Sequence, residues 1–194
     1  MKKIQILVMS MALVTVVACK NDTKKVEDDV VKEVEKVVEE VKEIKKDMAF
    51  ELESKSGSSA TGKVTVKEYE GHVTLEAQLF GLEKGTHAIH IHEKADCSSE
   101  DGKSSGGHWN PTFTPHGKWG DAGGFHLGDI GNFEVGDDGK GSIVLTTDKW
   151  CLGCGDEKKD ILGKAIIVHK GADDFTSQPS GAAGARVSCG GIIQ

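Results

Sequence analysis

The chain has 194 residues, with 24 lysines and arginines against 31 aspartates and glutamates, for a formal charge of −7. That balance excludes the basic footprint through which proteins hold nucleic acid. It also means that an anionic substrate must be drawn in by local positive groups, against the field of the whole molecule.

Residues 1–18 have the parts of a secretory leader: Lys2 and Lys3, then an apolar run ending at Ala18. The run is too short and wrongly flanked for a membrane span. Val16-Val17-Ala18-Cys19 resembles the bacterial lipobox, which implies cleavage before Cys19 and its lipidation. An ordinary signal peptide with an incidental cysteine is the plainer alternative. Loss of Lys2 and Lys3 with the leader takes the formal charge from −7 to about −9.

Residues 19–47 change texture, and Lys24 to Lys46 is built almost entirely from Val, Glu, Asp and Lys. Val30, Val34, Val37, Val41 and Ile44 step by four and three, which predicts a helix with a heptad seam. About three heptads are few for a stable coiled coil. The segment reads either as a solvated helical tether or as a weakly self-associating stalk.

From Met48 the pattern is that of strands, giving a third region over 48–194. Lys63–Lys67 and Val73–Leu79 alternate with period two, and Tyr69-Glu70-Gly71 between them reads as a hairpin connection. Thr86–His92 follows. Asn132–Val135 and Ser142–Leu145 flank Gly136-Asp137-Asp138-Gly139, a second hairpin signal. Ile161–His169 and Ala185–Cys189 supply the last strands. About eight short antiparallel strands predict an all-β sandwich or barrel. The stretch from Cys97 to Gly131 has no strand pattern, and long irregular loops in compact domains are usually functional.

That loop is rich in metal-ligating side chains. His90 and His92 lie on one face of their predicted strand, about 7 Å apart, where two imidazoles can grip one ion. His87 falls on the opposite face and reads as a core or supporting histidine bonded to backbone. His108, His116, His126 and Asp129 offer three imidazoles and a carboxylate, a donor set suited to structural zinc. The competing reading is a mobile surface loop with scattered histidines. Cys151-Leu152-Gly153-Cys154 reads as a redox pair, half a zinc site, a small disulfide or two inert thiols, with no second CxxC to complete a ribbon.

Taken in order, His90-Ile-His92, Gly-Gly-His108-Trp-Asn-Pro, His116-Gly, His126-Leu-Gly-Asp129-Ile-Gly-Asn, Val168-His169, Asp173-Asp174 and Gly184-Ala-Arg186-Val-Ser-Cys189-Gly resemble the copper/zinc superoxide dismutase family. The likeness runs from about residue 48 to the C-terminus. The short link from His92 to Cys97, the insertion from Ser98 to Ser105 and the segment from Asp174 to Ser180 are more similar to exported bacterial members.

The resemblance implies an eight-stranded Greek-key barrel with long metal-binding loops. It implies copper on His90, His92, His108 and His169, and zinc on His108, His116, His126 and Asp129, with His108 bridging and relaying a proton. Asp173 would brace one ligand of each metal, where a surface acidic pair with Asp174 is the alternative. Cys97 and Cys189 would form a disulfide. Arg186 would dock the superoxide anion, rather than form a rim salt bridge, and Lys103 and Lys170 are candidates for steering it. The implied activity is dismutation of superoxide to dioxygen and hydrogen peroxide, protecting the bacterial cell envelope from a lipid anchor that faces the periplasm or the exterior. Expected partners are superoxide, the membrane, and other copies of the chain through a homodimer surface or the Val-rich helix.

Trp109, where the family more often has phenylalanine or leucine, and the insertion from Lys149 to Asp160 depart from the pattern. Two rivals remain: a copper or zinc buffering or delivery protein on the same fold, and an anchored module that uses its helix to bind partners.

Overall fold

The computed structural model describes residues 46–193. The leader expected at 1–18, the lipidation expected at Cys19 and the tether expected up to residue 45 lie outside those residues. Lys46 and Asp47, which the sequence pattern assigns to the end of the tether, open the first strand.

Eight antiparallel strands form a closed barrel: β1 (Lys46–Ser54), β2 (Thr61–Tyr69), β3 (His72–Phe80), β4 (Gly85–His92), β5 (Gly131–Val135), β6 (Gly141–Thr147), β7 (Ala165–His169) and β8 (Arg186–Gly191). Their order around the barrel is β1-β2-β3-β6-β5-β4-β7-β8. β3 lies beside β6 and β7 beside β4, so the chain crosses over twice in the Greek-key manner. β8 closes the barrel onto β1 through Glu53 opposite Cys189 and Ser54 opposite Ser188.

The alternation of the sequence is the alternation of burial. In β3, Val73, Leu75, Ala77 and Leu79 point into the core, while Glu76 and Gln78 are exposed. β2 and β3 are joined by Glu70 and Gly71, both at positive φ (48° and 74°), the backbone that a two-residue hairpin requires. β4 and β7 differ: His87 to His92 and all of Ala165–His169 are buried. Ile89 and Ile91 enter the barrel core. His90 and His92 point the other way, beneath the long loops.

The last part of the β-pattern is corrected. Of the strand expected over Ile161–His169, only Ala165–His169 is strand. Ile161–Lys164 is a turn closed by Lys164 N–H to Ile161 O at 3.2 Å, with Gly163 at φ 83°. Leu162 N–H is drawn to the Asp160 carboxylate at 3.0 Å instead of to a ladder. An apolar run alone does not reveal that capture.

The connection between β4 and β5 is laid against β4 by backbone bonds. Ile91 donates to Gly128 O and accepts from Trp109 N–H, both at 2.8 Å, and Gly128 donates to Trp109 O at 2.9 Å. Trp150, fully buried, donates its indole N–H to Leu127 O at 2.9 Å. Trp119 packs between Phe125 and Trp150, with ring centroids 4.9 and 5.3 Å away. Cys97 and Cys189 are disulfide-bonded, Cα atoms 5.8 Å apart, tying the loop after β4 to β8.

Close backbone approach at Gly128 leaves no room for a side chain. A Cβ there would fall on the Ile91 carbonyl oxygen and lie 3.0 Å from Trp109 N. Gly128→Ala is expected to cost about 2 kcal/mol in urea unfolding. Gly123→Ala, in the same loop with open space around it, should shift stability by less than about 0.5 kcal/mol. Equal effects would show that loop docking on β4 does not limit stability.

Candidate metal centre

Two groups of buried donors meet at one histidine. His90 and His92 come from β4, His169 from the end of β7 and His108 from the docked loop, and one ligand atom from each lies within 4.8 Å of the others. His108, His116, His126 and Asp129 make a second group by the same measure. All seven residues are buried. The bridge between His92 and His108 continues the edge of β4 into the loop, and so positions the shared imidazole.

Four of the six rings are oriented by a bond on the far nitrogen. His92 donates from Nδ1 to Gly106 O at 2.9 Å, and His169 from Nδ1 to Gly184 O at 3.3 Å, leaving both Nε2 atoms facing inward. His90 and His116 donate from Nε2 to Asp173 Oδ2 and Oδ1, each at 2.9 Å, leaving both Nδ1 atoms facing inward. Six buried nitrogens consequently lack a hydrogen-bond partner: Nδ1 of His90, His116 and His126, and Nε2 of His92, His108 and His169. Two of these, His116 Nδ1 and His126 Nδ1, stand 3.0 and 3.3 Å from the Asp129 carboxylate, close but misaligned for hydrogen bonds. His108 Nδ1 lies 2.8 Å from Asp129 Oδ1. Buried polar atoms are seldom left unsatisfied. Six imidazole nitrogens oriented inward fit two cations, with His108 turning Nε2 to one group and Nδ1 to the other.

Electrostatics separates the two groups. Burial, reinforced by the neighbouring imidazoles, pushes His92 and His169 far below the usual histidine range. Burial also lowers His108, to about 4, against the pull of Asp129. His116 goes the other way: burial opposes its charge, but the carboxylates of Asp129 and Asp173 on either side outweigh that and raise it to about 9. Burial would raise Asp129 and Asp173, yet their histidine partners hold both far below the ordinary carboxylate range.

Asp173 thus touches one histidine of each group. It is itself held by Asn132, which accepts from Asp173 N–H and donates to Asp173 O, each at 2.8 Å. Gln178 clamps the backbone of His116 with two bonds of 2.9 Å. Neither amide role follows from sequence spacing. His87 is a supporting histidine as its strand parity predicts, its ring nitrogens 3.0 and 2.8 Å from the carbonyls of His169 and Glu83.

Arg186, half-buried, lines a cleft with His92, His108, His126 and His169. Its Nη1 donates to Gly102 O at 2.8 Å and to Ser105 Oγ at 3.2 Å, so the loop segment from Ser98 to Ser105 holds the guanidinium. Lys103 stands at the same cleft, paired with Asp101 at 2.9 Å. Lys170 lines an adjoining hollow with Ser58, Ala60 and Val187. Cys151 and Cys154 form the small disulfide among the alternatives for that motif.

A family model for copper/zinc superoxide dismutase (SODC) matches residues 60–192. The chain belongs to that family. Copper/zinc superoxide dismutases of Caulobacter vibrioides and Escherichia coli are 40% and 35% identical, over 68% and 72% of this chain and 77% and 82% of theirs. A superoxide dismutase-like protein of Bacillus subtilis, YojM, is 33% identical over 69% of this chain and 70% of its own. The crystal structure of a dismutase-like protein from Bacillus subtilis superposes with a TM-score of 0.66 at 34% identity, covering 74% of this chain and 97% of that one.

The proton on His116 has a measurable consequence. Its folded value lies above the ordinary 6.5, so its contribution to the metal-free fold is complete below 6.5 and is lost as pH rises through about 9. A divalent cation at His108, His116, His126 and Asp129 must displace that proton. Binding at pH 7.5 is expected to release about one proton, with affinity rising about tenfold per pH unit towards 9. Calorimetric titration in two buffers of different ionisation heat measures the release. A value near zero would contradict this electrostatic account.

Proposed function

We propose that this chain dismutes superoxide to dioxygen and hydrogen peroxide. Copper is held by His90, His92, His108 and His169, and zinc by His108, His116, His126 and Asp129. The observation that carries the reading is two donor groups sharing His108, one of them opening on a cleft that Arg186 lines. When bound, copper supplies a one-electron couple, and zinc supplies fixed charge without redox chemistry.

The protein's own groups do the rest. Arg186, anchored through Nη1, keeps its remaining N–H groups for a small anion entering the cleft. A guanidinium suits this because it stays charged at every working pH. The net charge of −7 repels superoxide, so the local field of Arg186 must gather the substrate, because Lys103 at the same cleft is neutralised by Asp101. His108 holds and releases a proton at Nε2, while its Nδ1 stays directed at Asp129. Asp173 fixes the tautomers of His90 and His116 and keeps the two groups in register. The leader and Cys19 support export and lipid anchoring, which would place this activity at the bacterial cell envelope.

A metal-buffering or delivery protein on the same fold would need the histidines but no anion dock. Pulse radiolysis of the metal-loaded protein separates the readings. Wild type should remove superoxide near the diffusion limit, and Arg186→Ala should be slowed more than about tenfold with copper and zinc still bound. Slow decay in both proteins at full metal occupancy would sink the dismutase reading. Asp173→Asn should weaken metal affinity by about 10–100-fold in competition with a chelator. Unchanged affinity would mean that the carboxylate orients neither ligand.

A further inference from the structure

The loop between β6 and β7 carries the second disulfide, Cys151–Cys154, which the proposed dismutase chemistry does not use. Its two cysteines sit in different surroundings: Cys151 is buried at 7% exposure, whereas Cys154 is exposed. The loop is also held without the S–S bond. Cys151 N–H donates to Lys159 O at 2.9 Å, and Ile161 N–H to Cys151 O at 3.1 Å. The Asp160 carboxylate accepts the N–H groups of Gly153 and Gly155 at 2.8 Å and of Leu162 at 3.0 Å. Leu152 is tied from both sides, by Lys46 Nζ to its carbonyl at 2.8 Å and by its N–H to Glu68 Oε2 at 3.1 Å.

Compare the two disulfides. Cys97–Cys189 spans 92 residues and joins a loop to a strand, with Cys189 fully buried. Cys151–Cys154 spans three. A crosslink restricts the unfolded chain less as its loop shortens, so the short ring adds least to stability. A short crosslink in a loop that hydrogen bonds also hold, with one of its two cysteines exposed, is suited to being opened and closed. A fixed metal site is a poorer account of the same residues, although Cys151, Cys154 and Asp160 lie close enough for one. Both Asp160 oxygens already accept backbone N–H groups.

We infer that Cys151–Cys154 is a thiol–disulfide exchange site, in which Cys154 Sγ is the atom that an incoming thiolate attacks. The thiolate bonds to Cys154 Sγ, and the S–S bond breaks with its electron pair on Cys151 Sγ, which takes up a proton. A second thiol of the partner then attacks the mixed disulfide, releasing Cys154 as a thiol. The partner dithiol, or two molecules of a monothiol, is oxidised to its disulfide by two electrons, and the protein pair is reduced by the same two. The reverse sequence closes the pair again.

The test incubates the full chain in glutathione buffers of graded reduced-to-oxidised ratio, followed by acid quench, alkylation and peptide mass spectrometry. Cys97 and Cys189 are read on separate peptides, and Cys151 and Cys154, which share the peptide between Lys149 and Lys158, are told apart by fragment ions. Cys151–Cys154 is expected to be reduced at least about tenfold more readily than Cys97–Cys189, with trapped glutathione on Cys154. The pair would not be an exchange site if Cys97–Cys189 opened first or alongside it, or if glutathione were found mainly on Cys151. A variant with both Cys151→Ser and Cys154→Ser should keep its circular dichroism and melt within a few degrees of wild type. Collapse of that variant would make the bond a structural staple and overturn the inference.

Discussion

The edge of β4 beyond its pairing with β5 organises the candidate metal centre. β5 pairs with β4 only as far as Ile89, opposite Gly131. Beyond that point the backbone of Ile91 still needs partners, because buried peptide groups are not left unsatisfied. Gly128 and Trp109 supply them, and Gly107 accepts from Glu93 N–H one step further on. A long irregular loop is thereby aligned with the strand that presents His90 and His92. The spacing of His108, His126 and Asp129 from those histidines is set by this ladder. Side-chain contacts refine it afterwards.

Burying so many polar side chains would be costly unless each were committed to a partner. The carboxylates do much of this. Asp129 gathers three imidazoles, and Asp173 spans the two groups. Backbone carbonyls of Gly106 and Gly184 fix the tautomers of His92 and His169. The result is inward lone pairs on His92, His108 and His169, kept neutral because burial denies them protons, and on the other side a proton held at His116 by two anions. Affinity for cations is built from these commitments as much as from the donor atoms themselves.

Much of this was legible in the sequence, for definite reasons. Period-two alternation marked β2 and β3 because one face of each is wet. The pairing of His90 with His92 followed from strand parity, and the seven donors stood out because histidine clusters are rare in a chain with only 8 histidines. The disulfide between Cys97 and Cys189 came from family resemblance, as did the placing of Arg186 near the histidines. What the sequence hid are contacts between irregular segments. Gln178 reaches His116 across 62 residues, and Asn132 reaches Asp173 across 41, with no period to betray either. The early end of the β7 pattern depended on a carboxylate capturing a backbone N–H. The position of Lys170, one residue past a donor, gave no sign that it would face a different hollow.

The long-range disulfide acquires a further meaning from its neighbours. Arg186 is held by Gly102 and Ser105, and Cys97 anchors the start of that same segment to Cys189, three residues beyond Arg186 on β8. One covalent bond therefore joins the guanidinium's strand to the loop that aims it. A newly made chain with reduced thiols would lack that joint and would hold its arginine by two weak bonds alone. Maturation is then written into geography: the guanidinium's seat becomes firm only where the surroundings are oxidising enough to close the bond.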